Sequence, residues 1–289
     1  MKNYLVTGGT GFIGSRLCKI LQNLGHTFTL ITNSTYLGEY KYITAHDFSK
    51  LKTIEKFDGV FHLATHFNGE RIPDYEEYNK ILQSNVDFSA LLAYKLLELN
   101  INNVVITDSF TQYNLINGDH PANFYSISKN LSNEIFDFLG VNKFNLVNLV
   151  IPDTYGPGDN REKLFKYLAS SIKRQFKVEL SPGNQLVDYL YVDDVCLGLI
   201  GAMERISGNI HNTFTKSKYR LSSLEVMTLK ELINTLNSII GEKLLIEWGV
   251  KKYREGEVFK ESYLHDLLPN WQPSVQLNEG LRKTFSEFL

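Results

Sequence analysis

The sequence predicts an α/β protein: a doubly wound parallel sheet with a smaller mixed α/β lobe at the carboxyl end. Three observations carry this expectation. Apolar runs of strand character alternate with helical runs through about residue 150, with short turns between them. A glycine-rich turn joins the first strand to the first helix. Beyond that region Pro152, Gly156, Pro157 and Gly158 cluster and the elements become shorter and less regular, which marks a second lobe interleaved with the first.

Strands are expected at roughly 3–7, 27–32, 41–44, 59–63, 103–107 and 144–151, and helices near 13–24, 76–99 and 125–139. Residues 1–150 then form a dinucleotide-binding domain, to which parts of 185–215 return, and 151–289 form mainly a substrate-binding lobe. Tyr4, Leu5 and Val6 enter the first turn, and Ile13, Leu17, Ile20, Leu21 and Leu24 leave it on one helical face. In that turn Gly8 can supply the tight bend, Gly11 lets a ligand approach the backbone, and Gly14 lets the helix pack close to the strand. The helix N-terminus offers free N–H groups to a pyrophosphate. Gly8, Thr10, Gly11, Phe12, Ile13 and Gly14 are therefore expected to hold a dinucleotide, in a Rossmann-like fold whose glycine spacing departs from GxGxxG.

The end of the second strand bears on which dinucleotide. NAD-binding folds place an Asp or Glu there to bond the ribose hydroxyls. Here Ile31 is followed by Thr32, Asn33, Ser34 and Thr35, so no carboxylate repels a 2′-phosphate, and Asn33 and Ser34 can donate to one. NADP(H) is expected in preference to NAD(H), although no arginine clamp is present.

Length and composition exclude several classes. A chain of 289 residues can bury a substantial core. Lys and Arg total 30 against 32 Asp and Glu, a net charge of −2, so no nucleic-acid or membrane partner is expected. Cys18 and Cys196 form no metal spacing and read as packing residues. His62 and His66 lie on a strand and its following turn without a third ligand, so no metal is expected either. Met1 leads directly into a strand and no apolar run is long enough to span a bilayer, from which a cytoplasmic protein is expected. Ile81, Leu82, Val86, Leu91, Leu92, Leu96 and Leu97 give the long helix near 76–99 a broad apolar surface, first of all core. With Leu131, Ile135 and Phe138 on the next helix, it is also the expected face of a homodimer.

A second constellation lies further on. The buried strand Val104-Val105-Ile106-Thr107-Asp108-Ser109 runs into polar residues at its carboxyl end, where open α/β sheets bind ligands. Tyr125-Ser126-Ile127-Ser128-Lys129 then opens a helical run, with Tyr125 and Lys129 on one face. It is the only Tyr-x-x-x-Lys among 16 tyrosines. A free phenol, with a pKa of about 10, holds its proton too tightly for exchange at neutral pH. A nearby ammonium is expected to lower it.

The Thr7-Gly8-Gly9-Thr10-Gly11-Phe12-Ile13-Gly14 turn resembles that of the short-chain dehydrogenase/reductase superfamily, in its extended branch that works on sugar nucleotides. Ser109, Tyr125 and Lys129 match that superfamily's catalytic triad in order and spacing. The resemblance implies that Tyr125 exchanges a proton with the reacting oxygen, Ser109 hydrogen-bonds it, and Lys129 holds the nicotinamide ribose. It also implies cofactor contacts from Leu63, Ala64 and Thr65 in the His62-Leu63-Ala64 segment, from Asp47 with Phe48 at the adenine, and from Ile151. Asn85 matches the family's helix asparagine. Substrate contacts are expected from Thr65, Ser109, Thr111 and Asp153, with Arg161, Lys163 and Arg254 as donors to a diphosphate. The chain departs from many relatives at Val187, where they carry an arginine, which leaves more weight on Arg254.

Further matches extend over most of the chain: Leu190-Tyr191-Val192-Asp193-Asp194-Val195, the segments from Trp248 and Tyr253, and Leu268-Pro269-Asn270-Trp271-Gln272-Pro273. Relatives that dehydrate the sugar carry Asp-Glu after the catalytic hydroxyl residue, whereas Phe110-Thr111 follow Ser109. Those that epimerise C3 and C5 use a Cys and a His, and no Cys lies near Ser109. What remains is reduction of a keto-sugar or 4-epimerisation through a transient ketone. Asp153-Thr154-Tyr155-Gly156-Pro157 with Asp159, Arg161 and Lys163 resembles a subgroup that includes the CDP-abequose and CDP-paratose synthases. That resemblance implies NADPH-dependent reduction of the C4 ketone of a nucleotide-linked 4-keto-6-deoxy or 3,6-dideoxy hexose in deoxysugar or surface-polysaccharide (O-antigen, lipopolysaccharide) biosynthesis. The expected partner is a nucleotide-diphosphate sugar, CDP-linked in preference to dTDP or GDP. An NAD-dependent nucleotide-sugar 4-epimerase and a non-catalytic nucleotide-binding relative stay open beside it.

Overall fold

A computed structural model describes the chain apart from residues 34, 54, 114, 117–119, 122, 209–213, 242, 255, 261–263 and 289. The amino-terminal part runs β1 (Asn3–Thr7), α1 (Phe12–Asn23), β2 (Thr27–Thr32), β3 (Tyr42–Thr44), α2 (Ala45–Lys50), β4 (Gly59–His62), α3 (Tyr75–Ile81), a π-helical turn (Leu82–Asp87) and α4 (Phe88–Glu98). It continues through β5 (Asn103–Ser109), the short β6 (Leu115–Ile116) and β7 (His120–Pro121), α5 (Phe124–Leu139) and β8 (Asn145–Ile151). Then follow β9 (Asp153–Tyr155), α6 (Leu164–Arg174), β10 (Val178–Glu179), β11 (Leu186–Val187), β12 (Tyr189–Tyr191), α7 (Val192–Ser207), β13 (Lys216–Arg220), β14 (Met227–Thr228), α8 (Leu229–Ile239), β15 (Ile246–Glu247) and α9 (Leu277–Thr284).

Seven strands form one sheet in the order β13-β8-β5-β4-β1-β2-β3, and every pair in it is parallel. The strands read as continuous apolar runs because both faces are covered. On one face Val6, Phe61, Val105 and Val147 pack with Leu17 and Leu21 of α1 and Leu199 and Met203 of α7. On the other, Leu5, Val60, Val104, Ile106 and Leu146 pack with Leu92 and Leu96 of α4 and Phe136 of α5. The chain moves outward from β1 to β3 and then returns to β4 beside β1. That reversal opens a crevice beyond the carboxyl ends of β1 and β4, where doubly wound sheets bind ligands.

The six expected strands and three expected helices form with small boundary shifts, and two features differ. The long helix near 76–99 is interrupted by the π turn, which holds Asn85. The buried Asn85 amide accepts from His66 N at 2.7 Å and donates to His66 O at 3.0 Å and Ser128 Oγ at 2.9 Å. A π turn thus serves to aim one polar side chain, as such turns do near sites. The second difference is β13, a strand the sequence hides. Lys216, Lys218 and Arg220 break its apolar pattern because it is the edge strand of the sheet, paired with β8 and bridged at Arg220 to Leu267.

Residues 192–207 and 216–220 thus lie on the amino-terminal sheet. The second lobe has its own core, in which Phe165 and Leu168 of α6 meet Leu232, Ile233 and Leu236 of α8 and Leu281 of α9. The parallel pair β9–β12 lies where the lobes join. No helix among the described residues is long and apolar enough to cross a membrane.

Candidate active site

The crevice continues between the lobes as one cleft of about 2110 Å³. A single drug-sized ligand occupies a site of roughly 300–1,000 Å³, so there is room for two extended ligands. Its floor is the turn after β1. Gly8 has φ +70°, and a Cβ there would lie 2.6 Å from Ala64 N. A Cβ on Gly14 would lie 2.1 Å from Gly8 O. The turn is closed by Gly11 N donating to Gly8 O at 3.0 Å. Gly11 caps α1 without any side-chain hydrogen bond, and no acidic residue lies in the first turn. The first-turn N–H groups are left for a ligand anion, and the partial positive charge there favours one. This cradle fits the pyrophosphate of a dinucleotide.

Above the cradle the sheet delivers the residues expected to react. Ser109 ends β5, and α5 begins at Phe124 after β6 and β7, capped by Asn123, whose Oδ1 accepts from Ser126 N at 2.9 Å. Tyr125 and Lys129 therefore occupy successive turns of one helix face, and both are buried. The Tyr125 hydroxyl is hydrogen-bonded by Thr65 and Ser109. Ser109 Oγ lies 2.9 Å from Thr111 Oγ1. The Phe67 ring meets Tyr125 edge-on at 4.9 Å.

The electrostatics correct one expectation. Burial pushes the Tyr125 phenol up to about 12, and the Asp108 charge adds to this, while the Thr65 and Ser109 hydrogen bonds and the Arg161 charge oppose it. Burial lowers the Lys129 pKa, against the pull of Asp108. Desolvation thus governs the phenol in place of the expected acidification by Lys129, and Tyr125 carries its proton at neutral pH. A phenol in that state carries a proton to give but holds it more tightly than a free phenol does. His62 is a packing residue. Burial pushes its imidazole down to about 3, and its two ring nitrogens lie 2.7 Å from Thr7 Oγ1 and 2.9 Å from Ser89 Oγ.

Gly8, Thr10, Gly11, Phe12, Ile13, Gly14, Asn33, Leu63, Ala64, Thr65 and Ile151 all line the cleft, as do Ser109, Thr111, Tyr125, Lys129, Asp153, Arg161, Lys163 and Arg254. Ser34 lies outside the described residues. Asp47 and Phe48 do not line it. Asp47 is taken up in the first turn of α2, where Thr44 Oγ1 donates to it at 2.7 Å, and Phe48 is wholly buried in the core under α4. Arg161 is also less available than expected. Asp159 binds its guanidinium through two contacts of 2.7 Å, Thr154 O accepts a third, and the group stacks 4.6 Å over the Phe12 ring. Lys163 Nζ lies 3.0 Å from Asp153 Oδ1 and 5.2 Å from the centre of Phe67. Both cations thus tie the second lobe to the walls of the first.

Sequence reasoning missed Phe67, Arg174, Tyr189, Lys251 and Lys252, which also line the cleft. The run Lys251-Lys252-Tyr253-Arg254, with three cations in four residues, was a usable signal for an anion-binding wall. Arg174 and Tyr189 carry no such signal, since only the packing of α6 and β12 brings them to the opening.

A doubly wound parallel sheet with a glycine cradle at its switch point and a Ser–Tyr–Lys set above it defines the short-chain dehydrogenase/reductase class. Residues 4–214 match the NAD dependent epimerase/dehydratase family, and the chain belongs to that family. It is 26% identical to a CDP-abequose synthase of Salmonella typhimurium, over 98% of this chain and 97% of that protein. It is 23% identical to a CDP-abequose synthase of Yersinia pseudotuberculosis, over 90% of this chain and 91% of that one. Among solved structures, the UDP-glucuronic acid 4-epimerase of Bacillus cereus in complex with UDP-glucuronic acid and NAD superposes with a TM-score of 0.80. It is 20% identical, over 99% of this chain and 98% of that one. The UDP-glucose 4-epimerase of Brucella ovis with NAD also reaches 0.80 at 16% identity, over 100% of this chain and 98% of that one.

Proposed function

We propose that the chain reduces the C4 ketone of a nucleotide-linked 4-keto-deoxyhexose, with NADPH as hydride source and a CDP-linked sugar as the favoured substrate. The observation that carries the reading is the buried hydroxyl set Thr65–Tyr125–Ser109, with its phenol held protonated and no carboxylate following Ser109. The bound dinucleotide supplies the hydride. Tyr125 donates its proton to the ketone oxygen, Ser109 hydrogen-bonds that oxygen, and Lys129 binds the ribose hydroxyls beside the nicotinamide. Elimination of water from the sugar needs an added acid–base pair, and Phe110 and Thr111 provide none.

NADPH is supported by residues 31–36, which carry no carboxylate, and by Thr32, Asn33, Thr35 and Tyr36 lining the cleft there. The CDP-sugar is supported by the full-length similarity to CDP-abequose synthases. Arg254, Lys251 and Arg174 on the second lobe suit its diphosphate. A homodimer is supported by the exposed Tyr94, Ile127, Leu131 and Phe138 on α4 and α5, and sedimentation velocity tests it.

Oxidation of NADPH and of NADH is to be followed against CDP-, dTDP-, GDP- and UDP-linked 4-keto-6-deoxy sugars. The reading predicts turnover with NADPH and fastest with the CDP sugar. Interconversion of an intact UDP-hexose by protein that retains NAD through purification, with no net NADPH oxidation, would replace it with 4-epimerisation.

A further inference from the structure

Behind the triad, on the face of the sheet covered by α5, lies a buried charge that the reaction above does not use. Asp108 follows Val104 and Ile106 in the row of β5 side chains that face the core under α5. The position would suit another apolar residue, yet it holds a carboxylate whose side chain is 0% exposed. Asp108 Oδ2 accepts from Asn133 Nδ2 at 2.7 Å and Asn148 Nδ2 at 3.3 Å, and lies 2.7 Å from Lys218 Nζ. Its Oδ1 accepts from the backbone N–H of Ser109 at 2.9 Å.

The cluster is organised around that negative charge. Asn133 and Asn148 both turn their amide nitrogens to the carboxylate, which leaves the Oδ1 of each buried without a hydrogen-bond partner. An orphaned buried acceptor is unfavourable, so both amides give up satisfaction to serve Asp108. Buried ion pairs of this kind add little to stability over apolar residues of the same volume. Position explains the cluster better than stability does. Asp108 directly precedes Ser109, and Asn133 lies one turn beyond Lys129 on α5.

We propose that Asp108 is a positioning residue for the triad: it ties the end of β5 that carries Ser109 to the face of α5 that carries Tyr125 and Lys129, and it is the buried counter-charge of the Lys129 ammonium. The inference rests on the proposed hydride-transfer reaction for its kinetic readout. Burial and the neighbouring Lys218 both favour loss of the Lys129 proton, and Asp108 is the group that opposes them. Asp108 likewise holds the proton on Tyr125. The other ionisable groups facing this pair are His62 on β4, kept neutral by burial, and Arg161, which faces Tyr125. His265, beyond β13, faces Lys218 and Asp108.

Asp108→Asn keeps the shape and removes the charge. Without it, both Lys129 and Tyr125 release their protons at lower pH, so the high-pH limb of kcat moves down. We expect a downward shift of about one pH unit or more, which is the tenfold that one unit represents, with the KM of the sugar nucleotide within twofold. Binding of the reduced cofactor, read from its fluorescence between pH 6 and 10, weakens at the high-pH end first. Asn133→Ala removes the tie to α5 and no charge. It lowers kcat several-fold and leaves the limb in place, and it carries the test if Asp108→Asn does not fold. A folded Asp108→Asn protein with unchanged limb and unchanged cofactor binding overturns the proposal, as does Asn133→Ala with unaltered kcat. If the unaltered protein reduces no 4-keto sugar, the proposed reaction fails. The Asp108 inference is then judged on cofactor binding against pH alone.

Discussion

The two ends of the cleft are built in different ways. At the β1 turn the ligand-facing surface is backbone: Gly8 and Gly14 leave no space for a Cβ, and the first turn of α1 presents N–H groups with no side-chain cap. At the second lobe the surface is made of long side chains from separate elements, and some of these are already engaged. Arg161 is bound by Asp159 and stacked on Phe12, and Lys163 is paired with Asp153. A backbone cradle is local and rigid, so a run of seven residues encodes it. A charged wall assembled from α6, β12 and the segment around Arg254 depends on which partners each cation finds after folding.

The comparison can be broken most severely at the cradle. Gly14→Ala places a Cβ 2.1 Å from Gly8 O, so the turn must open. Cofactor affinity is predicted to fall by on the order of 100-fold, equivalent to one or two charge-assisted contacts of about 1.5–3 kcal/mol. Binding of the nucleotide diphosphate to the second lobe should persist, and titration calorimetry with each ligand separates the two.

On the charged wall the effects are smaller and unequal. Arg254→Ala is predicted to raise the sugar-nucleotide KM by roughly 10- to 100-fold, the value of one charge-assisted contact to phosphate. Arg161→Ala should change it by less than about fivefold, because its guanidinium is committed to Asp159 and contributes as a partly exposed pair. Steady-state kinetics of the two variants sharpen the distinction, and equal effects would erase it.

Much of the amino-terminal sheet was legible because its central strands are buried on both faces and its helices on one, so apolar periodicity marks them directly. Ser109, Tyr125 and Lys129 were marked out by resemblance to the superfamily's triad, and their placement is local: Ser109 ends a strand, and Tyr125 and Lys129 lie one turn apart. The sequence did not show what depends on distant partners. β13 was hidden because Lys216, Lys218 and Arg220 belong to an edge strand, and Lys218 is drawn to a buried Asp108 that no local pattern announces. The π turn was hidden because Asn85 gains its purpose from His66 and Ser128. Asp47, expected at the adenine by resemblance, is held by Thr44 at the start of α2, a position a carboxylate beside the crevice also suits. Asp47→Ala accordingly gives the smallest expected effect: cofactor affinity within about twofold of the unaltered protein, because its carboxylate is committed to Thr44 at the start of α2 and does not line the cleft. Fluorescence titration with reduced cofactor measures it.

The account stands on the Tyr125 phenol as the proton donor to a substrate ketone. Its most direct test is single-turnover mixing of protein, reduced cofactor and a CDP-linked 4-keto-6-deoxy sugar, comparing the unaltered chain with Tyr125→Phe. The prediction is a rate of hydride transfer lower by about 10²–10⁴-fold in the variant, the usual contribution of a positioned acid, with reduced-cofactor binding unchanged. A variant that transfers hydride at the unaltered rate would contradict the account.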